Sequence, residues 1–151
     1  MQFMTANREE QETVFIVCEN NEGTALIPGT VVEFDLTATD ADQGHLIEKV
    51  DQAVNNTLGI EAPVAGVVES TIAAGGIGRV QVYGPATVRT NTTITAGRLA
   101  VATSSNVAPT GVAIADVQTT QVTTSAYAQA VIGVSMEAVS ATEARVQLNC
   151  M

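Results

Sequence analysis

The sequence predicts a mainly β protein: a small β-barrel or sandwich of short strands behind an extended N-terminal arm, with at most one short helix. Three observations carry this. Of 151 residues, 46% are apolar, but these are mostly Ala and Val, with three Phe, two Tyr and no Trp; small and β-branched side chains among many Thr and Gly suit pleated strands better than long helices. Apolar and polar residues alternate with period two in short runs. Turn residues recur at close intervals, as in barrels and sandwiches. The length fits one domain.

In order along the chain, residues 1–12 are polar and charged and read as a flexible arm. Thr13 to Cys18 form a short apolar strand, followed by the loop NNEGTALIPG. In TVVEFDLTAT, Val32, Phe34 and Leu36 face one way while Glu33, Asp35 and Thr37 face the other, the pattern of a half-buried strand. The segment 45–58 has two readings. Leu46, Val50, Val54 and Leu58 fall at helical spacing with Gly59 as a stop, which predicts a short helix; the competing reading is a strand at His45–Val50 and then a loop. Beyond Pro63 the pattern is strands and turns. Val80 and Val82 alternate with Arg79, Gln81 and Tyr83, Leu99 and Val101 follow the turn TAGR, residues 103–111 are a loop, and Ala113, Ala115 and Val117 share a face.

The chain also echoes itself. VAGV at 64–67 returns as VIGV at 131–134, and RVQV at 79–82 returns as RVQL at 145–148. Gly66 and Gly133 occupy matching places, where a barrel strand bends or bulges. Between the matched runs, Gly75, Gly76 and Gly78 of the first copy are replaced by Ser140, Ala141, Thr142 and Glu143 in the second. A phosphate loop needs its glycines, a helix N-terminus and usually a Lys. Here a strand follows and no Lys is near, so the glycine cluster reads as a turn.

Charge limits the partners. Residues 1–62 hold twelve acids and two bases, and the remainder four acids and four arginines, so the whole excess of −10 lies in the N-terminal part. With Lys49 as the sole lysine, phosphate neutralisation is out of reach and nucleic-acid binding is excluded. The acidic part is a solvated face or a docking face for a basic protein surface. No run reaches the roughly 18 apolar residues of a membrane helix, and MQFMTANREEQE is no secretory signal, so no membrane partner is expected. Cys18, in VFIVC, reads as a buried thiol; pairing with Cys150 is the alternative.

The run V-x-G-V, a Gly- and Ala-rich turn, R-V-Q-V-x-G, T-A-G at Gly97, V-I-G-V-S-M-E-A and a terminal R-V-Q-L resembles the capsid decoration (capsid cement) proteins of tailed bacteriophages, over about residues 30–151. The resemblance implies a β-barrel or β-tulip-like domain at residues 19–151, with residues 1–18 as N-terminal arm and first strand. It implies a structural virion protein, made in the host cytoplasm, that sits on the outer capsid surface as a homotrimer. Its partner would be the major capsid protein, and its role would be to stabilise the shell. The acidic stretch 33–61 matches no motif of that family. The arm contacts expected are Val14, Phe15, Ile16 and Val17, together with Phe3. Arg79, Arg89 and Arg98 either pair with carboxylates across subunits or lie on solvated strand faces. A terminal strand added to a neighbour's sheet edge gives main-chain affinity, and repetition over a shell gives avidity.

No catalytic, cofactor-binding or metal site is expected, and the chain reads as a non-enzyme. His45 is the only histidine, in a polar, acidic setting; Cys18 has no partnering His. Asp40, Asp42 and Glu48 loosely resemble a calcium loop but lack its spacing and terminal Glu. PVAGVV and SMEA resemble biotin or lipoate carrier domains, yet Lys49 lies in a charged segment rather than on a hairpin between small residues. NNT at 55–57 and NTT at 91–93 match a glycosylation pattern that arises by chance. The alternative function is a β-barrel module on the virion exterior that recognises a host surface or carbohydrate. Only Tyr83 and Tyr127 are candidate stacking rings for a sugar, which favours the structural reading.

Overall fold

A computed structural model describes residues 12–35, 48–52, 55–56, 59–60, 64–90, 95–97, 99–103, 113–117, 131–138 and 143–150. The strands are β1 (Val14–Asn20), β2 (Val31–Phe34), β3 (Glu48–Gln52), β4 (Asn55–Asn56), β5 (Gly59–Ile60), β6 (Val64–Val68), β7 (Ile77–Arg89), β8 (Leu99–Thr103), β9 (Ala113–Val117), β10 (Val131–Ser135) and β11 (Glu143–Asn149). No helix occurs among the described residues. Nine strands share one sheet in the order β1-β3-β2-β6-β7-β11-β10-β8-β9, and a further β1–β7 pairing closes the first five into a barrel. Strands β4 and β5 form a separate pair. The mainly β, barrel-like fold expected from the sequence is the one observed.

The helix expected over 45–58 is not formed where the residues are described: Glu48–Gln52 is strand β3, parallel to β1 and antiparallel to β2. Val50 is fully buried, with Lys49 and Asp51 only partly covered. Period-two burial therefore wins over the helical spacing, and Asn55, Asn56 and Gly59 are poor helix formers in any case. Leu46, Val54 and Leu58 lie outside the described residues. The barrel interior is Cys18, Leu26, Val32, Val50, Ala65, Val68, Ile72 and Val80, with Ile16 and Phe34 packed against it. Each such Val contributes on the order of 1.5–3 kcal/mol through burial.

The internal echo is a structural duplication. In the first unit β6 pairs with β7, Val67 opposite Gln81; in the second β10 pairs with β11, Val134 opposite Gln147. Against the other neighbour, β6 breaks register on β2 between Gly66 and Val64, and β10 breaks register on β8 between Gly133 and Val131. Each bulge leaves one extra residue, Ala65 or Ile132, and both are buried in a core. A Cβ on Gly66 would run into the Gln81 carbonyl oxygen, and one on Gly133 into that of Gln147. The bend expected at these two glycines is thus present in both copies, and close backbone approach is its cause.

The duplication extends further than the matched runs suggest. Gly29 (φ 81°) and Gly97 (φ 77°) each head the strand beside the bulge. Gly29 N–H donates to Val68 O (2.9 Å) and Gly97 N–H to Ser135 O (2.8 Å). Glu69 N–H donates to Arg79 O (3.2 Å) as Met136 N–H does to Arg145 O (2.9 Å). Strand β3 flanks β2 as β9 flanks β8. The remaining wall comes from one long strand. The first half of β7 pairs with β1, Phe15 opposite Gln81 and Val17 opposite Arg79. After Gly84 its second half pairs with β11, Pro85 opposite Gln147 and Thr87 opposite Arg145. So β7 ends one unit and begins the next. Val88, Ala100, Ile132, Ser135 and Val146 fill the second interior at the places held by Cys18, Val32, Ala65, Val68 and Val80 in the first. Strands β7 and β9 approach each other where β1 and β3 pair in the first unit.

Candidate interaction surface

The glycine cluster at 75–78 is a turn with its amides committed. Gly75 N–H donates to Asn20 O (2.8 Å) and Gly76 N–H to Ala73 O (2.8 Å), while Asn20 N–H donates to Gly76 O (2.8 Å). Asn20 is fully buried, and its Nδ2 reaches Thr24 O, Ile72 O and Ala73 O at 2.9, 3.0 and 3.1 Å. One amide side chain from β1 therefore holds the turn closed, and its glycine amides point into the protein. Gly78 is forced by packing, since a Cβ there would strike Ile72.

Of residues 13–18, expected as the first strand behind the arm, all but Thr13 lie in β1, which runs on to Asn20 as barrel wall. It pairs with β7 along its length and with β3 from Cys18. Val14, Phe15 and Ile16 are half-buried, Ile16 toward the core, whereas Val17 is 53% exposed. The Arg79 guanidinium sits 5.2 Å from the Phe15 ring centroid, and its Nε is 2.7 Å from Glu69 Oε2. Arg79 thus meets a carboxylate of its own chain, a pairing that depends on the register of β6 against β7. Arg89 is half-buried, its main-chain N–H donating to Gly29 O at 3.0 Å. Phe3, Arg98, His45, Asp40 and Asp42 lie outside the described residues.

Titratable groups gather at one end of the first barrel. Burial, then Asp35 and Glu22 nearby, raises Asp51 from 3.8 to about 6. Asn21 Nδ2 donates to Asp35 Oδ2 (2.6 Å), and Gln52 N–H to Glu22 Oε1 (3.2 Å). Among the described residues no group of three or more His, Cys, Asp or Glu is placed to hold a metal ion. Cys18 and Cys150 are both free thiols, so the pairing alternative does not hold. Burial raises each to about 11; Glu48 adds to the rise at Cys18.

What remains is surface, and the two units differ there. The outer side of β2 and β6 is covered: Val31, Val67, Gln81 and even Glu33, expected to face solvent, are 0, 2, 8 and 7% exposed. The second half of β7 crosses near this side. Gln81 Nε2 donates to Tyr83 O (3.1 Å) and Pro85 O (2.9 Å). A cleft of about 250 Å³ lies between Val67 and Gln81 on one side and Pro85, Thr87 and Glu143 on the other. On the second unit the matching side is open: Val134 is 41% and Met136 42% exposed.

No family model and no curated protein matches the chain. The fold is similar to that in the crystal structure of the head fiber gp8.5 N base of bacteriophage phi29, with a TM-score of 0.53 and 13% identity over 92% of this chain and 96% of that one. At this identity the likeness is one of fold.

Proposed function

We propose that this chain is a structural protein of a tailed-phage virion that attaches to the outer surface of the head and stabilises the capsid shell. The observation that carries the reading is the fold shared, over nearly its whole length, with the base of a phage head fiber. The sequence resemblance to capsid decoration proteins points the same way by an independent route. The protein acts by binding the major capsid protein, as a homotrimer, and not by turnover. It uses no cofactor, nucleic acid or membrane. Clamping a shell asks for a rigid body with many backbone constraints, and a closed barrel joined through a shared strand to a second unit of the same plan supplies one.

The test is co-sedimentation of the purified chain with expanded heads that lack it. Binding that saturates at a fixed ratio per capsomer is expected, weakened by deletion of residues 1–12 and more so by Phe15→Asp, with the fold retained in the deletion. Failure to co-sediment overturns the reading. Capture by a host-surface glycan in its place supports the alternative of an exterior recognition module.

A further inference from the structure

The two units of the chain meet by a contact that is not symmetric. The trailing face of the first, with Val67 and Gln81, shares a cleft with the leading face of the second, around Pro85, Thr87 and Glu143, and Arg89 N–H in the second half of β7 donates to Gly29 O at the head of β2 (3.0 Å). Register identifies the same faces on the outside of the molecule. Opposite Gln81 and Arg79 stand Phe15 and Val17, where Pro85 and Thr87 stand opposite Gln147 and Arg145. Ile77 is the counterpart of Glu143, and Val134 that of Val67. On the first unit the leading face shows Val17 at 53% and Ile77 at 60% exposure, and on the second the trailing face shows Val134 and Met136 at 41 and 42%. Among the described residues, these four are the exposed large hydrophobic side chains. Their confinement to these two faces is the pattern of an interrupted array.

We propose that the protein associates head-to-tail with a second copy of itself, Val134 and Met136 of one molecule seating on Phe15, Val17 and Ile77 of the next, so that the contact between the two units inside one chain is repeated between chains. Such a contact is heterologous: it uses two different patches and closes into a ring if the rotation between copies allows. Glu69, which pairs with Arg79 in the first unit, is replaced by Met136 in the second, and this exchange makes the outer trailing face more apolar than the inner one. The inference stands on the duplicated units and needs no capsid.

Sedimentation velocity of the full chain over a wide concentration range tests it, with Val134→Asp and Ile77→Asp as variants. Both positions are exposed, and matching melting curves verify the fold; if either melts early, Val134→Ser and Ile77→Ser replace them. The wild type is expected to assemble, and each variant alone to associate roughly tenfold or more weakly. An equal mixture of the two variants is expected to form one-to-one dimers and nothing larger, because each retains one intact face. A wild type that stays monomeric at its highest soluble concentration, variants that assemble like the wild type, or a mixture that does not pair each overturns the proposal. So does a monomer whose binding to heads is weakened by either variant, since the faces would then belong to the shell.

Discussion

The two units are built on one plan, but only the first is closed into a barrel. The first is closed by hydrogen bonds from β1 to β3 and β7; the second takes its opening wall from β7 and leaves one outer face bare. Across the two, side chains have been exchanged freely: Cys18 for Val88, Val68 for Ser135, Glu69 for Met136. The backbone events have not. The bulge, the glycine against the Gln carbonyl and the left-handed glycine at the strand head all recur. The difference teaches that this barrel is specified by a few positions where no side chain fits, while its interior accepts any set of suitable volume.

The comparison breaks most sharply at the bulges. Gly133→Ala and Gly66→Ala set a Cβ against main chain that cannot rotate away, and each should lose about 3 kcal/mol of stability by chemical denaturation. A large loss at one and none at the other would end the equivalence of the two copies. A smaller effect sharpens it. Gly29 and Gly97 share their φ, but a Cβ on Gly29 would also press on Arg89 at 2.9 Å, whereas Gly97 has nothing within 4 Å. Gly97→Ala should therefore cost about 1 kcal/mol, the conformational term alone, and Gly29→Ala clearly more. The smallest effect separates the acidic unit from the neutral one. Asp51 titrates at about 6 in the folded chain against 3.8 ordinarily, so between those values the native state binds more protons and stability falls as pH rises. Asp51→Asn should stabilise by about 1 kcal/mol at pH 7 after allowance for solvent screening, with the gain vanishing near pH 4; equal gains at both would remove the electrostatic cause.

Much of the fold was legible because its signals are local. A continuous apolar run located β1, period-two runs located β2 and β7, and the matched V-x-G-V and R-V-Q runs located the two glycine bends. The equivalence of Gly29 and Gly97 escaped notice because IPG and TAG share only the glycine, and a positive φ leaves no other trace in the sequence. The spacing of Leu46, Val50, Val54 and Leu58 misled at Glu48–Gln52 because four apolar positions cannot separate a helix from short strands flanked by turns. The surface was least legible. Alternation says that Glu33 points out of the barrel, but not that the second unit borders that side at Val67; that depends on the path of β7 beyond Gly84, a long-range matter. The open face at Val134 is invisible for the same reason.

Strand β7 carries a mechanical consequence. Its thirteen residues belong to both halves, so neither half can come apart without stripping the other of a wall, and the molecule should yield in a single cooperative step. Val14 and Asn149 both stand opposite Tyr83, so the two ends of the described ladder meet beside Gly84, and a pull between them loads the same few pairs on either side of that glycine first.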